Sequence, residues 1–148
     1  MFTTEATPFE IGKAIVLFDG QEPQVTIVVC GSVSYNGLMA AYELEKEGIE
    51  SIIINCPTIK PLDGETILAA VKRTKCVITV EEHQIMGGLG SAIAEFLSQN
   101  YHVPQEFIGV RDRFGESGEP NELIEKFGMG VSAIKQAAKK VIARANNV

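Results

Sequence analysis

Short apolar runs alternate with longer segments in which apolar positions recur every three or four residues. Lys13–Phe18 (KAIVLF) reads as a short strand ended by the turn-favouring pair Asp19-Gly20. Val25–Cys30 (VTIVVC) is apolar almost throughout and rich in β-branched residues, as expected of a strand buried on both faces. Gly31-Ser32 ends it, and Ser34 is positioned to cap a helix over Tyr35–Lys46 with Gly48 just beyond its end. In that helix Leu38, Ala41, Tyr42 and Leu44 are expected to form the buried stripe. Ile49–Asn55 follows as a strand. Asp63 can cap a helix reaching Lys75, with Ile67, Leu68 and Val71 on one face. Cys76–Val80 predicts a strand, Glu81–Gly90 a loop, and Ser91–Asn100 a helix burying Ile93, Phe96 and Leu97. Glu106–Val110 is a last short strand and Asp112–Pro120 a polar loop. Asn121–Phe127 and Val131–Asn146 are terminal helices, split by Gly128 and Gly130.

Alternating strands and helices imply crossover connections and a mostly parallel sheet covered on both faces. The first strand departs from this, because the six residues Asp19–Gln24 are too few for a crossover. It is expected to lie antiparallel at an edge. The predicted fold is a three-layer α/β/α sandwich around a mixed five-stranded sheet. Its 148 residues suit one domain, divided into a lead-in over residues 1–12 and a folded unit over residues 13–148.

Charge narrows the partners. Thirteen Lys and Arg against nineteen Asp and Glu give a net charge of −6 and a pI near 5.0, which opposes binding to phosphate backbones and anionic membranes. Met1–Lys13 lacks the apolar core of a signal peptide, and no apolar run approaches the roughly 20 residues of a membrane span. A cytoplasmic protein without nucleic-acid or membrane partners is expected. Cys30, Cys56 and Cys76 form no CxxC pair and read as small buried hydrophobes.

Chemistry in an open α/β sheet belongs at the carboxyl ends of the strands, where strand order reverses. Two segments qualify: Gly31–Ser34, with Gly31, Ser32 and Ser34 as a candidate anion cleft, and Glu81–Ser91. Gly87, Gly88 and Gly90 open a helix and invite a phosphate reading. The dinucleotide pattern, however, needs Gly or Ala where Ile93 stands, and no Walker lysine follows. Glycines there serve backbone geometry and close packing instead. His83 beside Glu81 and Glu82 suggests acid–base chemistry, but no nucleophile motif accompanies it. A polar contact across an interface is the better reading. Two histidines without a ligand cluster make a zinc site a poor expectation. Arg111, Arg113 and the Lys126–Arg144 cations read as solvated surface.

Several stretches together resemble the C-terminal domain of transketolase. They are VTIVVCGSVSYNGLMAAYELEKEGIES (Val25–Ser51), CPTIKPLDGETI (Cys56–Ile67), VITVEEHQIMGGLGSAIAEFL (Val77–Leu97) and RFGESGEPNELIEKFGM (Arg113–Met129). Deoxyxylulose-phosphate synthase and the β subunit of 2-oxoacid dehydrogenases share this domain, but Ser117–Gly128 looks more like transketolase. The resemblance implies a part of an enzyme of the pentose phosphate pathway. That enzyme moves a two-carbon ketol unit between sugar phosphates with thiamin diphosphate and Mg2+. Those cofactors belong to the two preceding domains. The diphosphate signature GDG is absent here, since Phe18 precedes Asp19-Gly20. No catalytic, cofactor-binding or metal residue is therefore assigned, and the isolated chain is expected to be inactive. The resemblance implies N-terminal transketolase domains or a subunit as partner, and a homo-oligomer. Glu81, Glu82, His83, Met86, Gly87, Gly88, Leu89, Gly90 and Ser91 are the candidate interface. The alternative is a small-ligand-binding or regulatory module using the Gly31–Ser34 and Gly87–Ser91 cleft, or the C-terminal domain of a deoxyxylulose-phosphate synthase or 2-oxoacid dehydrogenase β subunit.

Overall fold

The computed structural model describes residues 4–147; residues 1–3 of the predicted lead-in and residue 148 lie outside it. Strands β1 (Ile15–Asp19), β2 (Val25–Cys30), β3 (Ser51–Asn55), β4 (Val77–Gln84) and β5 (Gln105–Val110) form one sheet in the order β1-β3-β2-β4-β5. Helices α1 (Ser34–Glu45), α2 (Gly64–Thr74), α3 (Leu89–Asn100), α4 (Pro120–Lys126) and α5 (Val131–Ala145) complete the chain. The β1–β3 pair is antiparallel, and β3–β2, β2–β4 and β4–β5 are parallel. The antiparallel edge strand and the mixed sheet thus match the reading of the sequence.

Two apolar layers cover the sheet. On one face α1 and α5 pack over Val25, Ile27, Val29, Ile53, Ile78 and Val80. On the other, α2 and α3 pack over Val28, Ile52, Ile54 and Val77. Because successive side chains in a strand point to opposite faces, β2, β3 and β4 need apolar residues at every position. Val and Ile supply most of them, with Thr26, Ser51 and Thr79 as buried polar exceptions.

Three local features differ from expectation. Val33, not Ser34, occupies the cap position of α1; Ser34 is buried within the helix, where its Oγ donates to Asn55 Oδ1 at 3.3 Å. The side of α1 that meets the core is lined by the small residues Gly37, Ala40 and Ala41 together with Leu44, while Tyr42 turns outward. Gly37 has to be small, because a methyl there would collide with Val29. Finally, Glu81–Gln84 is strand rather than loop. It continues along β5 to the pair Gln84↔Val110 after a register shift. Gly109 allows that approach, since a side chain there would meet the carbonyls of Glu81 and His83.

Candidate functional site

Strand order reverses between β2 and β4: the chain leaves β2 for α1 on one face and leaves β4 for α3 on the other. The two predicted segments meet at this crevice, where Ser32 Oγ donates to the Glu82 carboxylate. The β alternation then sorts the acidic cluster. Glu81 and His83 share the α3 face, with His83 Nδ1 4.0 Å from Glu81 Oε2, while Glu82 sits on the α1 side with Ser32. The serine and the imidazole are therefore partners of different carboxylates. His83 Nδ1 instead lies 2.9 Å from the Gln84 carbonyl.

Glu81 decides the chemistry of the crevice. Its side chain is fully buried beneath the start of α3. There it accepts the backbone N–H of Leu89 at 2.7 Å and of Gly90 at 2.8 Å. Helix N-termini carry unpaired donors and partial positive charge, the same features that attract phosphates. Gly88 has no side chain with which to cap them. A carboxylate from the neighbouring strand occupies the place an external anion would take. The glycines follow from this: a methyl on Gly88 would overlap the Glu81 carboxylate, and one on Gly90 would press into Phe107 and Thr79. Gly87 adopts φ +85°, and Ser91 closes the turn by accepting Gly87 N–H at 2.8 Å and donating to the Ile85 carbonyl at 2.9 Å.

This geometry corrects two expectations. Glu81, Gly88, Leu89 and Gly90 are buried and engaged within the chain, so their close packing serves its own sheet and helix rather than a partner. Glu82, His83, Met86 and Gly87 are exposed. The anion cleft at Gly31, Ser32 and Ser34 is also changed, because its hydroxyls donate to Glu82 and Asn55 and an acid stands at its mouth. What sequence reasoning missed was the capping role of Glu81. The available signal was the absence of Ser, Thr, Asp or Asn ahead of α3, which leaves helix N–H groups requiring an acceptor from elsewhere.

Burial pushes all three thiols toward their protonated form. Burial, then the nearby Glu81, pushes Cys30 up to about 11. Burial pushes Cys56 and Cys76 up to about 12, with Cys30 and Asp63 adding to the effect at Cys56. The residues present do not fit a diphosphate or its metal: Glu81 takes the α3 donors, and no group of three potential ligand side chains gathers among the described residues.

The fold and this self-occupied crevice define a class: an α/β domain whose switch point is used for its own architecture. The chain belongs to the family described as the C-terminal domain of transketolase, whose model matches residues 12–134. It is 42% identical over 143 residues to the 6-deoxy-6-sulfo-D-fructose transketolase subunit SqwH of Clostridium sp. (strain MSTE9), covering 97% of this chain and 44% of that protein. It is 35% identical over 144 residues to 1-deoxy-D-xylulose-5-phosphate synthase of Syntrophus aciditrophicus (strain SB), covering 95% of this chain and 22% of that one. Among solved structures it superposes on a split-gene transketolase, described as an inactive beta4 tetramer, with a TM-score of 0.90. That match has 38% identity and covers 97% of this chain and 46% of the other. The chain thus spans less than half the length of these relatives.

Proposed function

We propose that this chain acts as the carboxyl-terminal part of a transketolase-type enzyme, docking onto the polypeptide that carries the rest and contributing no catalytic group itself. The observation that carries this reading is where large apolar side chains meet solvent. Phe114 is 97% exposed and Met86 63% exposed. Both follow strands at the carboxyl end of the sheet. Phe9 and Ile11, also exposed, come just before Gly12, whose N–H donates to Thr58 Oγ1 beyond the carboxyl end of β3. Isolated apolar side chains are unremarkable on a surface, but a set gathered on one rim marks a contact face. Glu82, His83, Gly87 and Ser91 supply polar groups around Met86, as the rim of an interface requires.

The reading extends to self-association, to a cytoplasmic location, and to thiamin diphosphate and Mg2+ held elsewhere in the complete assembly. Among the described residues no helix is long and apolar enough to cross a membrane. Its curated relatives include both a 6-deoxy-6-sulfo-D-fructose transketolase subunit and a 1-deoxy-D-xylulose-5-phosphate synthase, so a place in the pentose phosphate pathway is part of this proposal and the sugar phosphate is not named by the shared domain.

Co-purification with the polypeptide that supplies the remaining domains tests the proposal. Met86→Asp combined with Phe114→Asp is expected to abolish co-purification while leaving the urea midpoint unchanged. Leu89 is unsuitable for this purpose because it lies in the core. Unchanged binding would remove the rim from consideration. Saturable thiamin diphosphate binding by the isolated chain, measured by calorimetry, would overturn the non-catalytic role.

A further inference from the structure

At the carboxyl ends of β4 and β5, on the side of the sheet covered by α1 and α5, an open groove of about 300 Å3 lies against α4. Val110, Ile124, Phe127 and Met129 supply its apolar lining. Strand alternation adds Glu82 and Gln84, two residues apart and on the same side of β4. Gln84 Oε1 accepts the Asp112 N–H at 2.9 Å, and the Glu82 carboxylate accepts Ser32 Oγ. Arg113 also lines the groove, its guanidinium 5.0 Å from the centre of the Phe127 ring and 3.2 Å from Glu116 Oε1. Glu116 holds Lys126 as well, and Arg111 donates to the Phe107 carbonyl at 2.8 Å. The cations of this region are thus engaged. Glu82, exposed at the groove, has no ion-pair partner among the described residues.

We propose that this groove seats an arginine side chain of the polypeptide that carries the remaining domains, with its guanidinium paired to Glu82. This inference rests on the docking reading above and names the chemistry that the partner must bring. Charge selects a cation. From Val110 to Phe127 three cations, Arg111, Arg113 and Lys126, stand among five carboxylates, and Glu82 adds a sixth. The bond from Ser32 also holds Glu82 in place, so less side-chain freedom is lost when it pairs. The apolar lining then selects a cation on an aliphatic stem, which covers such a surface while its charged end reaches the carboxylate. A guanidinium suits the site better than an ammonium, being planar and more weakly hydrated. The groove already treats one guanidinium this way, since Arg113 lies over Phe127 and bonds to Glu116. Its size, at the small end of ligand pockets, suits one long side chain. Gly115, next to the exposed Phe114, lines it too, so the groove adjoins the rim assigned to docking. Arginine seated in a pocket beside apolar contacts is a common anchor of protein interfaces.

Calorimetric titration of the chain with that polypeptide, repeated over a series of salt concentrations, tests this. Glu82→Gln keeps an acceptor for Ser32 and is expected to leave the urea midpoint unchanged. It is expected to weaken binding about tenfold or more and to flatten the salt dependence. Glu82→Arg is expected to abolish binding. Glu45→Gln removes the same charge at the far end of α1 and is expected to change neither affinity nor salt dependence. In the saturated parent complex one arginine of the partner is expected to resist phenylglyoxal, and to become reactive in the Glu82→Gln complex. Changing that arginine to glutamate is expected to restore binding to Glu82→Arg. Binding unaffected by Glu82→Gln overturns the inference and leaves docking through the rim standing. Weakened binding with no arginine protected, or with a lysine protected from acetylation instead, overturns the guanidinium. A parent chain that does not bind the polypeptide at all overturns the docking reading and this inference with it.

Discussion

The carboxylate of Glu81 accepts the backbone N–H of Gly90 at 2.8 Å, joining the end of a buried strand to the first turn of α3. With the companion bond to Leu89 N–H, it replaces the side-chain cap that Gly88 lacks. The residue that resembled half of an acid–base pair is a fastening between strand and helix.

Glu81→Gln preserves shape but removes the charge and turns an NH2 group toward one of the two helix donors. Charge-assisted hydrogen bonds of this kind contribute about 1–3 kcal/mol. A urea midpoint shift of that size is expected, with the far-UV spectrum retained. A variant as stable as the parent would show that the fastening contributes little.

Gly88→Ala should act through the same carboxylate, since its methyl would overlap Glu81. Overpacking of this kind costs roughly 1–3 kcal/mol. In a Glu81→Ala background the cost should shrink, giving a coupling of about 0.5–3 kcal/mol in a double-mutant cycle. Strict additivity would mean that Gly88 is constrained by something other than Glu81.

Asp63 ties β1 to α2. Its carboxylate accepts Ala14 N–H at 2.9 Å, Thr66 N–H at 3.2 Å and Thr66 Oγ1 at 2.9 Å. Burial alone would raise its pKa, but these bonds outweigh it and hold the group below its ordinary value of 3.8. A folded pKa below the unfolded one contributes stability in full above pH 3.8. That contribution is lost as pH falls through this value toward the lower folded pKa. Asp63→Ala is expected to cost about 0.5–2 kcal/mol near neutrality and to flatten the acid limb of the stability profile. An acid limb identical to the parent's would contradict this role.

The thiols should be inert while the chain is folded. At pH 8 a thiol raised to about 11, as Cys30 is, leaves on the order of a thousandth as thiolate. Iodoacetamide labelling followed by mass spectrometry should therefore be slow in buffer and rapid in urea. Cys30, the only one of the three not buried, is expected to react first. Rapid native labelling of Cys56 or Cys76 would show that the core opens readily.

Much of the architecture was legible because the signals are local. The Val and Ile runs at Val25–Cys30 and Ile49–Asn55 require burial on both faces. Asp19–Gln24 is too short for a crossover, and Asp63 caps its own helix three residues away. The family motifs were equally legible as strings. Elsewhere the local pattern pointed the wrong way. Tyr42 matched the buried stripe of α1 by periodicity, but the small residues Gly37, Ala40 and Ala41 let the helix approach the sheet on their side and turned the tyrosine outward.

By itself, then, the sequence determined the mixed sheet, its antiparallel edge, the absence of a complete diphosphate motif and the family. Each depends on residues near one another along the chain or on the chain's own periodicity. Only the tertiary structure decided what the acidic, glycine-rich segment does. Whether Glu81 repels a ligand or replaces one depends on where β4 ends relative to the α3 N-terminus. Strand alternation places Glu81 under the helix and Glu82 against Ser32, although the two are consecutive and chemically identical. Their roles separate because a β-strand sends neighbouring side chains to opposite faces, and only the packed sheet shows what waits on each.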